Sequence, residues 1–490
     1  MIFGEVITRI MNIVWSPALV FLCLGAGLWF SFHTRFVQAR RMGAMVKLLF
    51  RGKSSETGVS SFQAFSMALS GRVGTGNIAG VATAIALGGP GAVFWMWIIA
   101  FLGASTAYVE STLGQIYKER VEGHFRGGPA YYIEKGLKAR WYAVLFAVVT
   151  VLAMGILLPG VQSNAIVDSF RTAFQLDKTI TAAGVVLLLG LIIFGGVKRI
   201  ANFAQLVVPF MAAGYLIVTL IILIIDFRQI PELFALICKS ALGIGPAMGG
   251  IVGSAVMMGV KRGIYSNEAG QGTGPHAAAA AEVSHPVKQG FVQAFSVYVD
   301  TLLVCTATAF MILITGMYNV YDASGAVIVQ GHEAMQGVVD KGGPIFTQMA
   351  VESLFPAFGK GFVAVSLFFF AFTTLVSYYF QAETNVLYLL RGRNSKLWLH
   401  TLRTVMMAAT FLTAIHSMDM AWDLGDIGIG LMAWINIIAI LILQRPAIVA
   451  LRDYESQIRS GVKEPLFDPD KLGIKGAGLW KKLLRQIKDE

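Results

Sequence analysis

The stretch Arg72-Val-Gly-Thr-Gly-Asn77-Ile-Ala-Gly-Val-Ala-Thr83 lies over Arg262-Gly-Ile-Tyr-Ser-Asn267-Glu-Ala-Gly-Gln-Gly-Thr273 when the sequence is shifted by 190 positions. Arg, Asn, Ala, Gly and Thr coincide without a gap. The same diagonal pairs Tyr108-Val109-Glu110 with Tyr298-Val299-Asp300, Phe101 with Phe291 and Leu113 with Leu303. Both copies sit in apolar surroundings. Glycine disfavours helix by about 1 kcal/mol relative to alanine. Unpaired backbone in hydrocarbon costs several kcal/mol, so unwound segments survive there only where they line a cavity or meet a ligand. Corresponding glycine-broken segments in two halves of a chain are the sequence mark of secondary transporters built from internal repeats. Glycines also let helices pack closely in membranes, but close packing leaves the matching Asn77 and Asn267 unexplained.

The bulk composition agrees. The 490 residues are 56% hydrophobic and 14% charged, with a mean hydropathy of +0.66. A soluble domain carries roughly 25% charge, so a polytopic membrane protein is expected rather than a water-soluble enzyme. The net charge of +11 is distributed as a cytoplasmic membrane face would have it, and no nucleic-acid partner is expected. Cys23, Cys238 and Cys305 have neither metal nor disulfide spacing and read as packing residues. No His/Cys/Asp cluster suggests catalysis or a transition metal.

Apolar windows long enough to span fall at 13–32, 61–87, 92–117, 141–163, 179–196, 201–225, 245–281 (interrupted), 291–318, 361–379, 397–415 and 420–443. The first has an acidic residue before it and basic residues after it. That reverses the charge order of a signal peptide, so it reads as a retained helix. Basic loops (Arg35 to Lys53, Lys118 to Arg140, Lys198-Arg199, Arg391 to Lys396) alternate with loops poor in base, and 322–341 is net acidic. Threading eleven spans puts every basic loop on one side, with the N-terminus outside and the C-terminus cytoplasmic, in the cell (inner) membrane. The repeat copies begin at the second and seventh spans. Five spans separate them, an odd number, so the copies have opposite orientations.

The expected fold class is therefore an all-α polytopic membrane protein of eleven transmembrane helices. One N-terminal helix precedes a 5+5 inverted repeat whose first helices are discontinuous. The expected divisions are 1–60 (N-terminal helix and basic loop), 61–228 (first repeat), 229–444 (second repeat) and 445–490 (cytoplasmic tail). Within the tail, Leu479 to Ile487 reads as a basic amphipathic helix on the inner leaflet or as a solvated end.

Broken helices offer N–H groups to an anion and carbonyls to a cation. Lys261 and Arg262 either mark the cytoplasmic end of a helix starting near Ala241 or sit at mid-membrane beside the cavity. The repeat alignment favours mid-membrane. Residues 227–243 would then be a surface helix and 268–281 an inner half-helix. Intramembrane charges need partners, and Glu110, Glu268 and Asp300 are the candidates, with Glu110 and Asp300 assigned to support of the broken segments. Thr373, Thr374 and Ser377 either bond back along their own helix or face the first break. Gln162, Ser163 and Asn164 line either the cavity or an outer loop.

Gly88-Gly-Pro-Gly91-Ala-Val-Phe94-Trp95-Met96-Trp97-Ile-Ile-Ala-Phe-Leu-Gly103 resembles the signature of the alanine or glycine:cation symporter family. Residues 73–83, Gly127-Gly-Pro-Ala-Tyr-Tyr-Ile133 and 262–270 are similar to that family's pattern, and the likeness covers nearly the whole chain. Ser70-Gly71-Arg72 departs from it by placing a cation where a small uncharged stretch is expected. The resemblance implies a leucine-transporter type of fold. It also implies sodium-coupled, sometimes proton-coupled, import of a small zwitterionic amino acid by alternating access, with alanine or glycine preferred and glutamine or serine as alternatives. By that analogy Thr75, Gly76 and Asn77 meet the substrate carboxylate, and Asn267, Glu268, Gly270 and Gln271 meet its ammonium group. Sodium would lie among Ser70, Val73, Thr373 and Thr374, with Asn77 serving a second ion. The expected partners are the amino acid and membrane lipid, and the chain is expected to be monomeric. An ion channel is the competing class, but inverted broken-helix repeats close around an occluded site rather than line a pore.

Overall fold

A computed structural model describes residues 2–50, 54–244, 251–322, 324–338, 343–391, 393, 395–416 and 418–489. Arg51 and Lys53 of the first basic loop, 245–250 of the expected seventh span, and 323 and 339–341 of the acidic loop lie outside the described residues.

The described residues are mostly helical. α1 (Ile2–Val14) and α2 (Pro17–His33) form a rod jointed at Ser16, because Pro17 has no N–H to continue the ladder. The short helices α3 (Val37–Arg40) and α4 (Met42–Leu49) follow. α5 (Ser61–Arg72) opens on a capping box, in which Ser60 Oγ accepts from the Gln63 N–H and Gln63 Oε1 accepts from the Ser60 N–H. α5 stops at Arg72. A π-helical turn, Gly76–Gly80, and α6 (Val81–Gly88) complete that segment. α7 (Gly91–Ile116) is followed by a hairpin of β1 (Glu119–Val121) and β2 (His124–Arg126), then α8 (Pro129–Leu137).

α9 (Arg140–Leu152), a π turn (Ala153–Leu157) and α10 (Pro159–Phe174) make one long rod. α11 (Lys178–Ile193), capped by Asp177, leads into α12 (Gly196–Ile225). Next come α13 (Ile230–Ala241), α14 (Val252–Asn267) and α15 (Gly274–Ala280). α16 (Pro286–Val297), a π segment (Tyr298–Cys305) and α17 (Thr306–Ile314) form another rod. A hairpin of β3 (Asn319–Tyr321) and β4 (Val327–Gln330) precedes α18 (Ile345–Leu354). The long helices α19 (Gly359–Leu390), α20 (Ser395–Ala414) and α21 (Met418–Arg459) then lead to α22 (Gly478–Asp489).

Seven helical stretches among the described residues are long and apolar enough to cross a membrane: Val6–His33, Gly91–Ile116, Arg140–Phe174, Gly196–Ile225, Pro286–Ile314, Gly359–Leu390 and Met420–Arg459. The other four expected spans coincide with shorter or interrupted helices. Windows 61–87 and 245–281 hold the pairs α5/α6 and α14/α15, window 179–196 holds the 16-residue α11, and window 397–415 holds α20. α7 runs through the middle of the molecule, packed against α2, α14, α15 and α16. It is buried on almost every side from Gly103 to Ile116.

Two expectations on element limits are corrected. The inner half-helix of the second broken segment begins at Gly274, not at residue 268, because Glu268, Gly270 and Gly272 all take positive φ (55°, 86° and 81°), which no α-helix accommodates. The last long helix does not end near 443. α21 continues through Pro446 to Arg459, past the expected boundary at 444/445. Ala447, Ala450, Leu451 and Tyr454 recur at helical spacing and bury one face of the extension.

Candidate functional site

The two chain breaks face one another in the interior. A Cβ at Gly76 would lie 3.1 Å from Ser266 Cα and 3.1 Å from the Tyr265 ring, and one at Gly71 would lie 3.2 Å from Glu268 Oε2. Gly74 has its own packing reason to be glycine. A Cβ there would lie 2.4 Å from Thr374 Oγ1 on α19.

At the first break Val73 leaves the helical region (φ −76°, ψ 89°). The freed donors find side chains. The Gly74 N–H donates to Asn77 Oδ1 (2.8 Å), and the Thr75 N–H and hydroxyl both donate to Gln162 Oε1 on α10 (3.0 and 2.8 Å). Gln162 is therefore buried against the first break and not part of an outer loop. Asn77 Nδ2 donates to Asp300 Oδ1 (2.7 Å) in the α16–α17 rod, and Asp300 also accepts from Ser266 and Thr301. The freed carbonyls converge on α19, where Thr374 Oγ1 lies 2.9 Å from the Ser70 carbonyl and 3.4 Å from that of Val73.

At the second break the Asn267 side chain accepts from the Ala269 N–H (3.0 Å) and donates to Thr301 Oγ1 (3.3 Å), while Gln271 Nε2 donates to the Ile264 carbonyl (2.7 Å). The Gly270 and Gly272 N–H groups donate to the two oxygens of Glu110 on α7 (3.2 and 3.1 Å). Asn436 of α21 bridges Glu110 (2.7 Å) and the Gly270 carbonyl (2.9 Å), and is itself bonded by Tyr132. Glu110 and Asp300, which coincide when the sequence is shifted by 190 positions, each hold the break nearer the other end of the chain: Glu110 the second, Asp300 the first. All of these residues are buried.

Arg72 ends α5 in the same interior. Its Nη1 donates to the Gln293 carbonyl (3.1 Å) and to Ser296, and a Cβ at Gly274 would lie 2.8 Å from its Nη2. Nε and Nη2 of Arg72, Oε1 of Gln271, Oγ of Ser111 and the Tyr265 hydroxyl are buried without a hydrogen-bond partner among the described residues.

Several expected site residues stand differently. The Thr373 hydroxyl, expected beside Thr374 in the ion's ligand set, bonds the Phe370 carbonyl (3.0 Å) and faces Met211 Sδ (3.8 Å). The 100° step per residue of an α-helix turns it from the break. Asn77, expected at a second ion, has both ends of its amide engaged in holding Gly74 to Asp300. The Thr75 N–H, expected to meet a carboxylate, is held by Gln162, and the Asn77 N–H donates to the Gly74 carbonyl (3.1 Å).

Lys261 and Arg262 lie on an unbroken stretch of α14, five or more residues before the second break. Their partner is none of the three acids expected but Asp426 of α21, 2.6 Å from Lys261 Nζ and bonded by both Arg262 terminal nitrogens (3.1 and 3.0 Å). Trp422 stacks under Arg262 at 4.4 Å. A second buried pair joins β2 to α19, where Arg126 Nη2 meets Glu383 (3.0 Å) and Nη1 meets Thr384 (2.8 Å). Sequence reasoning missed Asp426, Asn436 and Glu383. The available signal was an acid or amide inside an apolar helix, which needs a partner.

Comparisons with known proteins agree with this picture. The sodium:alanine symporter family matches residues 1–469. The chain is 58% identical, over 98% of both chains, to YrbD of Bacillus subtilis (strain 168), provisionally named a sodium/proton-dependent alanine carrier protein. It is 53% identical to the sodium/proton-dependent alanine carrier protein of Bacillus sp. (strain PS3), over 89% of this chain and 97% of that one. Among solved structures, the manganese transporter of Eremococcus coleocola shares the fold, with a TM-score of 0.51 at 13% identity over 87% of this chain and 94% of that one. Two broken helices, membrane-length helices and a family match over nearly its whole length together make this chain a member of the sodium:alanine symporter family.

Proposed function

We propose that this protein imports a small neutral amino acid, alanine or glycine, together with sodium, by alternating access. The family is one of transporters, not enzymes, and the chain is an integral membrane protein. The observation that carries the reading is the reciprocal bracing of the two breaks by Asp300 and Glu110. Each half of the molecule holds open the unwound backbone of the other, so a change in the tilt of one half is felt directly at both breaks. That is the mechanical requirement of a site opened alternately to either side.

In this reading eleven spans form one N-terminal helix and a 5+5 inverted repeat, with the N-terminus outside and the C-terminus in the cytoplasm. The substrate carboxylate is drawn to the first break at Thr75, Gly76 and Asn77, displacing Gln162. The ammonium group is drawn to the second break at Asn267, Glu268, Gly270 and Gln271. Sodium is held by the Ser70 and Val73 carbonyls and Thr374, a set of neutral oxygens suited to a hard cation. A single chain supplies every one of these groups, so a monomer suffices.

A proton-coupled reading has its own support. Glu268 is a buried carboxylate at the break, beside Gly71, and the similar Bacillus carriers are named for both ions. The test is binding of labelled alanine to the purified protein. Alanine affinity should rise several-fold when sodium replaces potassium, and unlabelled glycine should compete. Affinity indifferent to sodium at fixed pH would contradict the sodium reading.

A further inference from the structure

We infer that the chain carries an anionic-phospholipid site where α2 meets α21, separate from the transport site. A cavity of about 250 Å³ opens there, lined by Arg35, Arg40, Arg452 and Arg459 with His33 and a single acid, Glu455. Glu455 is already engaged by Arg40, by Arg41 Nε (2.9 Å) and, at 3.9 Å, by Arg459. Arg35 and Arg452 are exposed and have no acidic partner among the described residues. Four guanidinium groups around one carboxylate leave the cavity with an uncompensated positive charge. Arginine's planar fork matches a phosphate oxygen pair.

The local backbone is shaped to present these groups. Arg35 and Phe36 both take left-handed conformations (φ 55° and 52°), each a cost for a residue with a Cβ. Arg40 holds that turn by donating from Nε to the Arg35 carbonyl and from Nη2 to the Thr34 carbonyl (3.2 Å each). Here the chain leaves α2 and enters α3, and Arg35 stands at the corner.

The occupant's second half is written above the cavity. α2 and α21 run side by side in the same direction, tied by Trp29 Nε1 to Gln444 Oε1 (2.9 Å) and by Arg40 to Glu455. On the N-terminal side of the Trp29–Gln444 tie, Leu28 and Ile442 are exposed and apolar. On the other side lies the basic cavity, within about three turns of helix. An apolar strip ending in a tryptophan and then a cluster of arginines is the profile of a lipid, with acyl chains beside the strip and an anionic headgroup in the cavity. This placement rests on the proposed orientation, in which the loop after α2 is cytoplasmic. It does not depend on which ion or amino acid is carried.

The experiment uses the full chain purified in detergent, with thermal unfolding followed on adding phosphatidylglycerol or phosphatidylcholine. Phosphatidylglycerol should raise the midpoint and phosphatidylcholine should not. The double variant Arg35→Gln/Arg452→Gln should bind phosphatidylglycerol roughly 10- to 30-fold more weakly, as expected for two charges at a membrane surface, while its affinity for alanine stays as in the native chain. Arg452→Gln alone, at an exposed position, serves if the double variant does not fold. Equal shifts from the two lipids, or a phosphatidylglycerol shift retained in the variants, would overturn the site. A shift of the same size from millimolar inorganic phosphate would overturn the lipid assignment in favour of a soluble anion. Loss of alanine binding in the native chain would strike the transport reading and leave the lipid result standing.

Discussion

At the scale of single residues the proposed ion site turns on one threonine. Thr374 and Thr373 are adjacent and chemically identical, yet only Thr374 meets the carbonyls freed at the first break. Sodium coordination should follow that geometry. Thr374→Val is expected to raise the sodium concentration for half-maximal uptake several-fold, with little change in alanine affinity at saturating sodium. Thr373→Val should leave the sodium dependence where it was. Sodium titrations of uptake for the two variants check this, and equal effects would move the ion away from the break. The sequence could nominate the pair but not choose between them. The choice depends on how α19 is rotated, and that is set by packing against α5, α10 and α12.

Asp426 makes the same point about partners. Two cations one residue apart in an apolar segment announce that an acid must be near, but the nearest acid in space lies 164 residues further on. Asp426→Asn takes from Lys261 and Arg262 the buried carboxylate that both bond, leaving Lys261 only the longer-range pull of Asp423, and breaking such a buried pair costs about 3–5 kcal/mol. The purified variant should show a markedly lower thermal midpoint. Arg262→Gln in the same background should recover part of the loss, since it removes one of the stranded charges. An unchanged midpoint in Asp426→Asn would mean that the pair is solvated.

At the scale of elements, the C-terminal segment is a strap rather than a free end. Trp480 at the start of α22 is buried and donates from Nε1 to the Gln115 carbonyl at the end of α7 (2.8 Å). Lys118 lies between the rings of Phe125 (4.1 Å) and Trp480 (5.0 Å), with its ammonium group bonded to the Ala281 carbonyl just beyond α15 (2.9 Å). The Phe467 N–H donates to the Ser284 carbonyl (3.1 Å), and Lys288 pairs with Glu464. The first turn of α22, expected on the inner leaflet or in solvent, thus docks its tryptophan on the protein.

Burial pushes Lys118 down to about 7, against the pull of Glu282. The unfolded chain keeps that lysine protonated to about pH 10.4. Between these values the unfolded state binds more protons than the folded one, so the contribution of Lys118 to stability rises with pH across this window and is smallest below pH 7. Lys118→Met should therefore flatten the rise in thermal midpoint between pH 6.5 and pH 9, pH values chosen to bracket that transition. A variant whose pH profile parallels that of the native chain would show that Lys118 does not titrate there. The strap was hidden in the sequence because the segment is polar on its outer side. Its few inward residues, Phe467, Ile474, Ala477 and Trp480, are too widely spaced to show a period.

At the scale of the whole molecule, the proposed internal repeat is supported where aligned residues do equivalent work. The diagonal that paired Glu110 with Asp300 also paired two acids that each brace the opposite break. Helix limits were less legible. α21 overran its expected end because its charged outer face masked the buried stripe from Ala447 to Tyr454. The proposed topology rests on charge alternation and is open to direct test. A cysteine near Asp322 should react with an impermeant reagent from outside, and one near Arg393 only from inside. Labelling of both from one face would contradict the eleven-span arrangement and the inverted repeat with it.

The central claim is sodium-driven amino acid import, and the most direct measurement is alanine uptake into proteoliposomes under imposed gradients. With sodium outside and no pH difference, labelled alanine should accumulate above its external concentration and be discharged when the sodium gradient is collapsed. A pH gradient without sodium should drive none. Accumulation that follows the pH gradient in sodium-free medium, or equilibration without accumulation under a sodium gradient, would contradict the account.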